Sequence, residues 1–122
     1  MSYSNGEVTL NYQLAAAAIS TAARLATLIG PAGKVGRLKS ITSAVTTGVT
    51  DAAGTVTVGT AGDPDSAGTL TVAISSADAV QNDVVLVAAT TAVLAADTAF
   101  VIDVGGECTA GAADITVAIT WY

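Results

Sequence analysis

Two short stretches of this sequence have a residue spacing close to that of known ligand loops. The first, Gly30-Pro31-Ala32-Gly33-Lys34, resembles the end of a phosphate-binding loop, in which glycine amides and a lysine hold phosphate oxygens. That loop also needs a glycine five residues before its second glycine and a Ser or Thr after its lysine. Leu28 and Val35 occupy those positions, so we predict a hairpin turn and no phosphate site.

The second stretch, residues 63–68 (Asp-Pro-Asp-Ser-Ala-Gly), matches positions 1, 3 and 6 of a calcium-binding loop, which are two ligands and the turn glycine. Two further ligands are missing, because Ala67 stands at the fifth position and Ile74 replaces the bidentate glutamate. The favoured interpretation is a polar turn, and a surface cation site using Asp63 and Asp65 is the alternative. We assign no metal ligand and no cofactor-binding residue.

The residue types needed for catalysis are scarce. The chain has no histidine, so neither a Ser–His–Asp nor a Cys–His site can form. The single cysteine, Cys108, is interpreted as a small half-buried or loop residue. Asp97, Asp103 and Asp114 lie at predicted strands, but their spacing does not bring them into one cleft. We therefore predict no catalytic residue and no enzyme activity.

The charges are unevenly distributed along the chain. The formal net charge is −6, and every acidic residue except Glu7 lies at or beyond Asp51. A negative chain without a large basic cluster is not expected to bind nucleic acid. The four basic residues fall within sixteen positions and form the candidate interface: Arg24, Lys34, Arg37 and Lys39. Their partner would be an acidic neighbour, including the Asp-rich half of another copy; the alternative is ordinary solvated charge.

Apolar and polar residues alternate through most of the chain, which is typical of half-buried β-strands. Clusters of Gly, Pro, Asp and Ser separate the alternating runs, and such punctuation indicates a sandwich or a barrel. We predict eight strands, at residues 7–14, 25–29, 34–46, 55–59, 69–75, 83–88, 99–104 and 114–122.

Several of these segments carry finer predictions. Alternation predicts the apolar faces of the last two strands: Phe100, Ile102 and Val104 in one, and Ile115, Val117, Ile119 and Trp121 in the other. The second strand should have Leu25, Thr27 and Ile29 together on its inward face. In the third, Arg37 and Lys39 fall on the same side as Ile41, which predicts a β-bulge or an exposed strand end. Residues 14–24 are rich in alanine but lack an apolar stripe, and we predict a loop with a helical turn.

The length of 122 residues suits one domain at residues 7–122, preceded by an arm at residues 1–6. The longest apolar stretch, residues 84–96, is too short to span a bilayer, so we expect no membrane partner. Aromatic residues make up only 4% of the chain. Small side chains bury little area each, so packing against further copies would add stability, and an oligomer is expected.

Several stretches are similar to a family of small head proteins that tailed phages encode beside their major capsid proteins. The similarity runs through Leu14-Ala15-Ala16, Ser20-Thr21-Ala22 and residues 31–38, 52–58, 61–66 and 112–117. It covers nearly the whole chain in order. Residues 84–99 depart from the family in being richer in alanine, and the family's acidic-Gly-Gly turn appears only as Val104-Gly105-Gly106-Glu107.

The resemblance implies a head decoration (cement) protein on the outer surface of an icosahedral capsid. Such proteins bridge neighbouring major capsid proteins, often as homotrimers, and usually have a jelly-roll-like β-sandwich, which eight strands would suit. The polar arm at residues 1–6 would reach across to a capsid protein. A tail or fibre protein, or a host-surface-binding β-module, is the alternative function. Few aromatic residues are available for a sugar platform, which weakens that alternative.

Overall fold

A computed structural model describes residues 6–82, 84–86 and 93–122, and within these ranges the chain is all-β. The described residues include no helix, hence none long and apolar enough to cross a membrane. They form ten strands: β1 Val8–Ala18, β2 Ala23–Leu28, β3 Gly36–Thr50, β4 Gly54–Thr60, β5 Asp63–Val72, β6 Val80–Gln81, β7 Val84–Leu86, β8 Val93–Leu94, β9 Phe100–Val104 and β10 Ala110–Trp121.

The strands form two antiparallel sheets that pack together as a β-sandwich. The first sheet has the order β1-β10-β3-β6, and β8 pairs with another part of β3. The second has the order β2-β9-β4-β5-β7. Strands β1 and β2 are consecutive in the chain and lie at an edge of different sheets, so the chain crosses from one sheet to the other between them.

The period-two alternation determines which side chains enter the space between the sheets. On β10, Ile115, Val117 and Ile119 are buried, whereas the neighbouring threonines at 116 and 120 are only half-buried. On β9, Phe100, Ile102 and Val104 belong to the same core. The predicted inward faces of these two strands are thus confirmed. Because most core residues are small, each contributes only about 1.5–3 kcal/mol of burial energy.

Trp121 is the largest buried side chain and closes one end of the core. Its indole Nε1 donates a hydrogen bond to the Tyr12 hydroxyl at 3.1 Å, which joins β10 to β1. Its ring centroid lies 5.7 Å from that of Phe100, which lies in the opposite sheet. The ring packs so closely on Gly30 and Gly36 that a Cβ at either glycine would overlap it.

Residues 14–24 do not form the predicted loop with a helical turn. Strand β1 continues to Ala18, and its register against β10 shifts between Leu14 and Ala17. Ala16 has a φ of 47° at this bulge, and its amide donates to Asp114 Oδ1 at 2.6 Å. The shift turns Ile19 inward, where it is fully buried. The helix propensity of the alanines is therefore outweighed by pairing with β10, which lies almost a hundred residues away in the chain.

The predicted inward face of the second strand was also wrong. The register between β2 and β9 shifts between Arg24 and Ala26, which reverses the alternation beyond that point. Ala26 and Leu28 consequently pack on the core, whereas Thr27 faces out and Ile29 is 63% exposed. Leu25 packs against the core as predicted.

The structure has more strands than the eight predicted, since the short β6 and β8 pair with different parts of β3. Residues 63–68 belong to β5, so the polar turn predicted there is instead confined to residues 61–62. Of the strand predicted at 83–88, β7 covers Val84–Leu86, and residues 83, 87 and 88 lie outside the described residues. Residues 1–5 of the predicted arm also lie outside them.

We predict that Gly36→Ala destabilises the fold by about 1–3 kcal/mol, because the added methyl group must displace the Trp121 ring from a filled core. Urea unfolding measures the change. Gly62→Ala is the matched control, since a Cβ at Gly62 meets nothing within 4 Å. Equal unfolding midpoints for the two variants would contradict the proposed role of the glycine–tryptophan contact.

Candidate functional site

A β-bulge in β3 places two of the four candidate basic residues on the outer face of the first sheet. Ala118 pairs with Ser40 and Ile119 pairs with Leu38, so Lys39 is the extra residue of the bulge. Leu38 and Ile41 both face the core, while Arg37 and Lys39 are exposed. The bulge predicted from the sequence is confirmed. It lets one strand supply two cations to the surface without burying either.

Arg37 and Lys39 line an open groove of about 590 Å³. We call it the basic groove; its lining residues are Glu7, Arg37, Leu38, Lys39, Leu86, Thr120 and Tyr122. Arg37 Nη2 donates to the Tyr122 hydroxyl at 3.2 Å, and its guanidinium carbon lies 5.6 Å from the centre of the Tyr122 ring. Both contacts hold the Arg37 side chain in one position. A groove of this kind suits an acidic group on a partner surface.

Tyr122, Thr120 and Glu7 are groove residues that sequence reasoning did not identify. Thr120 lies directly opposite Arg37 because β10 pairs with β3 in that register. These two segments are more than eighty residues apart in the chain, so no local pattern joins them. The alternation at the C-terminal end of β10 could have indicated Thr120 and Tyr122, but only once the pairing of β10 with β3 was known.

Arg24 has a different environment from Arg37 and Lys39. It lies on β2 in the second sheet, where its Nε bonds Asp103 Oδ1 at 3.0 Å and its Nη2 donates to the Ala61 carbonyl at 3.3 Å. The hydrogen bond to Asp103 raises the pKa of Arg24 above its usual value, so the guanidinium stays charged. Arg24 thus ties the β4–β5 turn to β2, across β9.

Lys34 lies half-buried beside Gly6, where a Cβ on that glycine would approach its Nζ within 2.9 Å. The structure therefore places only Arg37 and Lys39 of the four predicted interface residues in the basic groove.

The stretch that resembles a phosphate loop is a turn, but it is not the predicted hairpin, because the flanking strands β2 and β3 lie in different sheets. Gly33 has a φ of 73°, and the Lys34 amide donates to the Pro31 carbonyl at 3.2 Å. The Gly33 amide donates to Asp97 Oδ1 at 2.9 Å. Both amides therefore already have acceptors, which leaves them unavailable to cradle a phosphate.

The other candidate chemical residues lie apart from one another. Asp97, Asp103 and Asp114 each accept hydrogen bonds from a different part of the chain: Gly33, Arg24 and Ala16 respectively. Cys108 is 3% exposed, more deeply buried than predicted, and its Sγ donates to the Ile19 carbonyl at 3.4 Å. Each of the three aspartates joins a different pair of chain segments, so their carboxylates do not meet in one site.

Asp63 and Asp65 are exposed neighbours at the start of β5. A hydrogen bond to Asp65 is the main cause that raises the pKa of Asp63, with smaller contributions from burial and from the Asp65 charge. In the described part of the chain, no group of three His, Cys, Asp or Glu residues is placed to hold a metal ion. The pair is two carboxylates that repel each other when both are ionised.

The raised pKa of Asp63 predicts a pH-dependent effect of Asp63→Asn. The folded state binds this proton more tightly than the unfolded state, so the pair contributes stability at low pH that is lost as the pH rises through the pKa of Asp63. We expect Asp63→Asn to raise Tm slightly at about pH 7 and to lose that advantage at about pH 3. Thermal unfolding of the variant at both values measures this.

Asp51→Asn makes the same charge change at another exposed residue and serves as the control. A gain for Asp63→Asn that is the same at both pH values would rule out relief of carboxylate repulsion as its cause.

The comparisons with known proteins add no family to this picture. No family model, no curated protein and no solved structure matches the chain. The resemblance to phage head proteins therefore remains a prediction from the sequence, and the function is argued from the fold and the basic groove.

Proposed function

We propose that this chain is a structural virion protein that decorates the outer surface of an icosahedral phage head. In this role it bridges neighbouring major capsid proteins and stabilises the shell. The observation that carries the proposal is the strand order of the two sheets, read together with the sequence resemblance. We propose no enzyme activity, no nucleic-acid partner and no membrane partner.

The strand order supports a jelly-roll-like sandwich. If β6 and β8 are counted as one interrupted edge strand on β3, the first sheet reads β1-β10-β3-β6/β8. Without the short β7, the second sheet reads β2-β9-β4-β5. Consecutive strands then lie in opposite sheets, except β4 and β5, which are neighbours in the second sheet. Of the two final strands, β9 lies beside β2 and β10 lies beside β1. This order supports a double Greek key, an architecture that viral capsid proteins use, although lectins and cupins use it too.

The surface of the molecule supports a role in assembly. Val80, Val85 and Leu86 are 65%, 73% and 49% exposed, and all three lie on the short edge strands β6 and β7. Exposed apolar side chains on short edge strands favour a contact surface there, although Ile29 and Ile74 are also exposed outside these strands. The basic groove lies beside Leu86 and adds charge to that region. Each contact is weak, but a symmetric shell repeats it many times.

The arrangement of the aromatic residues disfavours the alternative of a sugar-binding tail or host-surface module. Tyr12, Phe100 and Trp121 pack with one another in the core. Tyr122 is held against Arg37 by a hydrogen bond and a cation–π contact. Tyr3 lies outside the described residues. Among the aromatics that the structure describes, none is left to form an open stacking platform for a sugar ring.

The proposal predicts that purified protein binds phage heads that lack it. Added protein should saturate the heads at a ratio set by the icosahedral symmetry, and cryo-microscopy should place its density on the outer head surface. A head-stability measurement, such as resistance to heating, should improve on binding. Density found only at the tail tip would instead favour the tail or fibre function.

We also predict that attachment to heads depends on the basic groove. Replacing both cations, as R37Q/K39Q, should weaken binding about 2- to 30-fold, from about 0.5–2 kcal/mol for two partly exposed ion pairs. The difference should shrink at high salt because surface charges are screened. Co-sedimentation with heads measures the change.

T47E/T50E is the matched control, since it lowers the net charge by the same two units at exposed residues near the other end of β3. If both double variants bind heads equally, net charge alone is responsible and the groove has no role in attachment.

A further inference from the structure

We infer that the acidic partner of the basic groove is the Asp63–Asp65 pair of a second copy, so that copies of this chain join head to tail. On a phage head the groove would then contribute to attachment by joining copies into a ring that binds at several points, and this role rests on the function proposed above. The contact itself needs only the isolated protein, so it can be tested separately.

The groove contains two exposed cations, and Tyr122 holds the Arg37 side chain in position. Arg37 uses Nη2 to bond Tyr122, and its remaining N–H groups have no acceptor among the described residues. Lys39 is exposed at the bulge, where no residue of β10 pairs with it. Since a guanidinium carries five donors, Arg37 can bind a carboxylate while keeping its contact with Tyr122. The groove is therefore ready to receive acidic groups.

The Asp63–Asp65 pair presents the complementary charges. Both side chains are exposed at the start of β5. Neither carboxylate has a cationic partner among the residues that the structure describes. A hydrogen bond to Asp65 is the main cause that raises the pKa of Asp63, and repulsion by the Asp65 charge adds to it. A cation from outside the chain would relieve this repulsion.

The two surfaces match in spacing and cannot meet within one molecule. Arg37 and Lys39 are separated by one residue, as are Asp63 and Asp65, which corresponds to about 6–7 Å along a strand. The cations lie on the first sheet and the carboxylates on the second. A contact between different surfaces of identical copies is heterologous, and it closes into a ring when the rotation between copies allows.

Composition supports a partner of this kind. The chain has only four basic residues against ten acidic ones, and Arg24 is already bonded to Asp103. Lys34 is half-buried, whereas Arg37 and Lys39 are exposed in the groove. Glu7 also lines the groove and opposes an acidic occupant. We expect this opposition to weaken the contact, so that Glu7→Gln strengthens self-association.

The experiment measures the mass of the isolated protein by sedimentation velocity over a range of concentrations, at low and high salt. We expect wild type to associate at low salt and to dissociate at high salt. Reversal of either surface, as R37E/K39E or D63K/D65K, should weaken association at least about tenfold, because like charges then face each other. Circular dichroism checks that each variant is folded, and the milder D63N/D65N replaces any variant that is not.

The decisive variant carries all four reversals in one chain. If the two surfaces contact each other, R37E/K39E/D63K/D65K restores association, because opposite charges face each other again. T47E/T50E should associate like wild type. The inference is overturned if wild type stays monomeric at every concentration at low salt, or if the fourfold variant associates no better than its two parents.

These outcomes are separate from those of the head-binding experiment. Monomeric protein that still binds heads would refute the self-contact and leave the decoration function standing. Conversely, a fourfold variant that regains association, from a wild type that binds no heads, would support the contact and refute the decoration function.

Discussion

The packing of Trp121 against two glycines is the contact on which the rest of the sandwich depends. The chain contains five aromatic side chains, and three of them meet at this one end of the core: Tyr12, Phe100 and Trp121. Because the other core residues are mostly Val, Ile, Leu and Ala, no other position fills as much space. Gly30 and Gly36 leave room for the indole, and the Tyr12 hydroxyl satisfies its N–H group.

The β-bulges in β1 and β3 are the second feature on which the structure depends, because they determine which side chains are buried and which are exposed. At Ala16 the bulge keeps the end of β1 in register with the core, and Asp114 accepts the displaced amide. At Lys39 the bulge keeps two cations at the surface, while Leu38 and Ile41 stay in the core. A strand with strict alternation would have to bury a charge or expose core residues. The basic groove is thus a consequence of how β3 resolves that conflict.

Two groups of charged side chains have different roles. Asp97, Asp103, Asp114 and Arg24 bond to groups within the chain and brace its turns and bulges. Arg37, Lys39, Asp63 and Asp65 instead face outward on two different sheets. Surface charge of both signs, arranged in separate pairs, gives a protein with few aromatic residues a means of specific association. This division is consistent with a protein that acts through assembly, and it underlies both proposals.

The sequence by itself determined the all-β character and the inward faces of β9 and β10, because alternation is a local property of the chain. It also predicted the bulge in β3, since Arg37 and Lys39 conflict locally with Ile41. The tertiary structure decided the rest. Alanines 15–18 became strand rather than helical turn, and a bulge at β2 turned Thr27 outward, because pairing with β10 and β9 outweighed local preference. The groove could not be read from the sequence either, since Tyr122 meets Arg37 only through the register of strands far apart in the chain.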